Sequence, residues 1–93
     1  MIENLIVDKN EFRIKKMNAI EVLALQTVFD VDDYSKTLKC FETILEKIEV
    51  KIGEQWVTVK DGNNYYPVDI ENNIDVIKEL VAYFMRYMKE VFI

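Results

Sequence analysis

The stretch ELVAYFMRYMKEVFI, Glu79 to Ile93, limits what this chain can fold into more than any other part of it. Placed at about 100° per residue, the apolar side chains between Ile74 and Phe92 fall on one continuous arc of roughly 200°, bounded by Tyr83 and Val76 on one side and by Met85 and Phe92 on the other. A helix that covers one neighbour needs a stripe about half as wide. The pattern therefore predicts a long terminal helix, starting near Ile70 to Asn73 with Asp69, Asn72 or Asn73 as cap. Half of its arc closes the domain, and Val76, Tyr83 and Tyr87, or from the other edge Met85 and Phe92, face another polypeptide.

Ninety-three residues with 51% hydrophobic content suit one domain, residues 1–93, with a small core that needs no disulfide; residues 1–10 read as a loosely attached segment. A net charge of -5 and dispersed cations argue against nucleic acid and against anionic membranes, because phosphate tracking requires clustered Lys and Arg. No apolar run approaches a bilayer span. One cysteine closes no internal bridge, and MIENLIVDKNEF has neither the basic flank nor the sustained apolar region of a secretory signal, so the expected location is the cytoplasm.

Upstream of the terminal helix, Phe12 and Ile14 alternate with Glu11, Arg13 and Lys15, which predicts a short strand over 11–16. Asn18 with Glu21 three residues on forms a capping box, so a first helix runs from there to about Phe29. It is apolar nearly all round, which predicts a central core helix surrounded by protein. A second helix follows, capped by Asp32 or Asp33, with Tyr34, Leu38, Phe41, Ile44, Leu45 and Ile48 on one stripe of about 120°. The period then shortens to two: VKI, WVTVK and YYPV predict an antiparallel meander over 49–68, with a hairpin at Asp61-Gly62 and Pro67 on an edge or at a strand end. The fold class is α+β, mostly helical: three helices, a small antiparallel meander and a short N-terminal strand.

Histidine is absent, which removes the commonest general base, the usual nucleophile pairs and the usual zinc ligand sets. Cys40 lies on the margin of the second helix's stripe, where packing explains it better than nucleophilic chemistry. Asp30, Asp32 and Asp33 fail the calcium-loop template: counting from Asp30, position six is Ser35 and position twelve Phe41, and counting from Asp61 gives Tyr66 and Asn72. Trp56, Tyr65 and Tyr66 lack a basic surround and read as packing of the sheet against the helices. Two glycines, Gly53 and Gly62, build no phosphate-cradling loop. The expectation is a protein without catalytic residues, cofactor or metal.

KMNAIEVLALQT (Lys16 to Thr27), FETILEKIEVKIGEQWVTVK (Phe41 to Lys60), the YYP at Tyr65 to Pro67 and the aromatic-rich terminal helix together resemble the tail assembly chaperones of long-tailed bacteriophages and prophages of Gram-positive bacteria. The resemblance extends over roughly residues 11–92. It implies a cytoplasmic assembly factor that coats the helical tape measure protein, helps tail tube subunits polymerise around it, and carries no catalytic residue. Self-association is expected as well, since an apolar surface meant for a client must be hidden between clients. The competing reading is a small acidic phage-encoded inhibitor or adaptor of a host protein, which would act through charge.

Overall fold

In the computed structural model, which describes residues 3–28 and 34–92 and their side chains except those of 26–28, 34–37 and 92, two hairpins distant in sequence join into one antiparallel sheet. β1 (Leu5–Val7) turns into β2 (Asn10–Ile14), and β3 (Ile48–Ile52) turns into β4 (Gln55–Thr58). β2 pairs with β3, so the order is β1-β2-β3-β4. Between β2 and β3 the chain forms α1 (Ala19–Val28) and α2 (Tyr34–Glu46). After β4 come a two-stranded ribbon, β5 (Lys60–Asp61) with β6 (Asn64–Tyr65), a single 3-10 turn at Ile70–Asn72, and α3 (Ile74–Phe92). These elements make an α+β fold with three α-helices among the described residues.

Strand alternation sorts the sheet into two faces. Leu5, Phe12, Val50 and Val57 form one cross-strand row and Ile14 with Ile48 another, all on the face turned to the helices. Phe12, Ile48 and Val50 are fully buried there, against Ile44 of α2 and Leu80 and Phe84 of α3. Each such side chain contributes about 1.5–3 kcal/mol on burial, which makes this layer the main source of stability. The outer face carries Ile6, Glu11, Arg13, Glu49, Lys51, Trp56 and Thr58. Arg13 ties it together: its Nε donates to Glu49 at 2.9 Å and its guanidinium lies 4.0 Å from the Trp56 ring centre.

Local chemistry sets the element ends. Asn18 Oδ1 accepts from the Glu21 N–H at 2.9 Å while Glu21 Oε1 accepts from the Asn18 N–H at 3.4 Å, which is the expected capping box. Of the three proposed caps for α3, Asn73 takes the role, accepting from the Val76 N–H at 3.2 Å. Lys47 ends α2: its N–H donates to Ile44 O and its carbonyl accepts from Lys15 at the end of β2. The Asp32 or Asp33 cap of α2 lies outside the described residues.

Four expectations are corrected. The segment 1–10, read as loosely attached, contains β1, joined to β2 by Asp8 and Lys9 at φ of 52° and 67°. This is the twist-matched hairpin turn that Asn-Gly usually supplies, built here from two residues with side chains. Ile48, placed on the second helix, begins β3. The meander over 49–68 is not one sheet: WVTVK breaks at Val59, β4 staying with β3 while β5 leaves to pair with β6. Pro67 follows the end of β6 and joins no ladder. Finally, α1 is not enclosed. Val22 and Leu25 are buried, whereas Ile20 is 79% and Leu23 57% exposed.

Candidate interaction surface

The terminal helix shows how much apolar surface the domain shelters by itself. Val76, Leu80, Tyr83, Phe84 and Met88 are buried, and Ile77, Val81 and Tyr87 are half-buried against the core. The arc predicted to reach a partner thus divides unequally. Its Val76–Tyr83 edge is closed from within the chain, because β1 runs along α3 and sets Leu5 and Val7 into the core. Two shallow clefts flank that contact: Val7 and Asp8 meet Asn73, Val76 and Glu79 at one end, and Glu3 to Leu5 meet Tyr83, Arg86 and Lys89 at the other.

Of the five residues expected to contact a partner, then, Val76 and Tyr83 are interior, the latter 2% exposed. Tyr87 is half-buried, its ring centre 6.3 Å from that of Phe84. Met85 is exposed on the other margin of the helix, three turns along from the exposed Ile74. The Phe92 side chain lies outside those described. Among the described side chains, Val76 and Tyr83 lie inside while Met85 lies outside, so these do not share one surface. Burial raises the Tyr83 phenol above its ordinary pKa, while the Ile14 backbone and the Arg86 charge pull the other way.

Apolar surface stays exposed on both helices: α3 keeps Ile74, Met85 and Val91 exposed, and α1 adds a face that its pattern presented as enclosed. On α1, Ala19, Ile20, Leu23 and Ala24 are all exposed and occupy the side opposite Val22 and Leu25. The uniform apolarity of AIEVLALQTV carried the signal, but it was read as enclosure. The helix is held in a fixed orientation by the capping box and by Lys47, whose ammonium donates to Glu21 at 2.9 Å from the α2–β3 junction. That hydrogen bond first, then the Asn18 amide and the Lys47 charge, hold the Glu21 carboxyl below its ordinary pKa. Beside this clamp, Glu21, Ala24, Leu25, Thr43 and Lys47 line a small groove between α1 and α2.

Leu38 and Phe41 on α2 are exposed as well. Cys40 is buried, and desolvation raises its thiol pKa. Among the described residues no three His, Cys, Asp or Glu side chains converge as metal ligands would, and no helix is long and apolar enough to cross a membrane. Comparison with protein-family models, with curated proteins and with solved structures yields no match to the chain.

Proposed function

We propose that this protein is a non-enzymatic tail assembly chaperone that keeps a helical tape measure protein soluble in the cytoplasm and passes it to polymerising tail tube subunits. The observation that carries the reading is the outward face of α1. Ile20 and Leu23 stand one ridge step apart with alanines on either side. Small residues beside large ones let a second helix approach within the usual 8–10 Å.

The energetics suit a holding function. Full burial of an Ile or Leu is worth about 1.5–3 kcal/mol, so covering the exposed fractions of both yields roughly 2–4 kcal/mol, which is about millimolar at best before the cost of association is subtracted. A long client with many apolar turns engages many copies, and multivalency supplies the strength that each contact lacks. Weak individual contacts also let the chaperone leave as tube subunits arrive. Met85 on α3 offers an adaptable apolar contact of the same kind.

The test is co-expression with the tape measure protein. The double variant Ile20→Asp, Leu23→Asp alters only exposed side chains, so the far-UV spectrum is expected to stay native while the client moves from the soluble fraction to the pellet. Undiminished client solubility with the folded variant refutes the reading.

A further inference from the structure

The β1–β2 turn places two successive residues with side chains in the left-handed region, Asp8 at φ 52° and Lys9 at φ 67°. A two-residue hairpin turn of this hand demands positive φ at both positions, which Asn-Gly supplies at little cost. Asp tolerates the region through its short polar side chain, whereas Lys has no such compensation. The other hairpins place glycine, Gly53 and Gly62, at their positive φ. Asp8 also shares a shallow cleft with Asp75 and Glu79 of α3, a carboxylate set among carboxylates.

The strand held by this strained turn is nonetheless needed for closure. β1 sets Leu5 and Val7 into the core and runs along α3, where Val76 and Tyr83 are buried. If the turn straightens, the place beside β2 and α3 has to be refilled. The segment that fits it is already visible there: β1 itself, supplied by another chain.

We infer that β1 exchanges between two copies of this protein: the Asp8-Lys9 turn opens, β1 runs straight on into β2, and each β1 lies beside β2 and α3 of the other copy. Strained short hinges favour such swapping. The register is fixed by the closed form, in which Leu5 pairs with Phe12, Ile6 with Glu11 and Val7 with Asn10. Continued through the straightened turn, it sets Asp8 of each copy against Lys9 of the other, two ion pairs by symmetry on the ladder itself. Val7 and Asn10 close the turn as a hydrogen-bonded pair, so Asp8 and Lys9 become the next non-hydrogen-bonded pair, whose side chains stand closer. Both left-handed residues relax in each copy, and every contact of β1 is made again. The inference uses no residue of α1 and stands apart from the client reading.

The full chain, unfolded in urea, refolded over a range of concentrations and sized by sedimentation velocity, tests it. The dimer fraction should grow with the refolding concentration. Lys9→Gly relieves the closed turn and, with two turns per dimer, should weaken dimerisation about thirtyfold. Lys9→Pro forbids the closed turn, because its ring holds φ at about -65°. It costs the open strand no bond to the other copy, since amides of a non-hydrogen-bonded pair point away from the partner strand. This variant should be dimeric at every concentration, with a native circular dichroism spectrum. Ile6 and Glu11 are also a non-hydrogen-bonded pair, with Cα atoms about 4.5 Å apart, a span that a disulfide bridges. Ile6→Cys and Glu11→Cys chains, refolded together under reductant and then oxidised, should therefore give a disulfide-linked heterodimer, and either alone should give none; Cys40 is buried. If Lys9→Pro fails to fold, the covalent capture decides alone. A chain that stays monomeric at every refolding concentration, a Lys9→Pro variant that folds as a monomer, or a mixture that yields no linked heterodimer overturns the proposal.

Discussion

Replacing Tyr83 and Ile20 one at a time by alanine separates interior from surface on the two helices. Tyr83 is 2% exposed and packs where β1 meets α3. Losing a buried aromatic ring removes its transfer energy and leaves a cavity, about 3 kcal/mol or more for such positions. Against a total stability of about 5–15 kcal/mol for a domain, that loss should lower the melting temperature by about 12 °C or more. Ile20 has only a fifth of its surface covered, so alanine forfeits about 0.5 kcal/mol of burial. Alanine also returns about 0.4 kcal/mol in helix propensity, and the net change should be close to zero. Urea unfolding with linear extrapolation measures both on one scale. An Ile20→Ala cost above about 2 kcal/mol, or a Tyr83→Ala cost below about 1 kcal/mol, contradicts the assignment of inside and outside.

Other consequences follow from the same contacts. Deleting residues 1–9 removes β1 and uncovers Val76 and Tyr83, so the truncated chain should bind more of an apolar dye and aggregate at concentrations where the full chain is clear. Asn18→Ala breaks the 2.9 Å bond to the Glu21 amide and should cost about 1 kcal/mol in urea unfolding. Glu21 has a folded pKa below its ordinary 4.5, so the stability it contributes is fully present above that value and is lost as pH falls through the lower folded one. Thermal melts of wild type and Lys47→Met should therefore differ at neutral pH and converge in acid.

Sequence periodicity identified α3 and the Asn18–Glu21 box because both rest on local chemistry: a repeat near 3.6 residues and one amide with one carboxylate. β1 was missed because its turn is Asp-Lys, not Asn-Gly, and because three residues are too few to show alternation. That omission produced the error on α3. With no strand available to cover Val76 and Tyr83, their edge was assigned to an outside partner. The opposite error fell on α1, whose all-round apolarity implies enclosure only if the chain has enough elements to surround it. Here α2 packs against α1, whose Val22 and Leu25 join the core, and nothing described covers Ile20 or Leu23. Composition reports how much apolar surface a helix carries. Which side stays bare depends on pairings between segments as distant as Arg13 and Glu49.

The central claim, that the apolar surface left for a client lies on α1 and not along the Val76–Tyr87 edge of α3, is tested most directly by site-specific photo-crosslinking during co-expression with the tape measure protein. A benzophenone side chain at position 23 should give a covalent adduct with the client, and the same group at position 87 should give none. Adducts from position 87 with none from position 23 would return the binding surface to α3 and contradict the account.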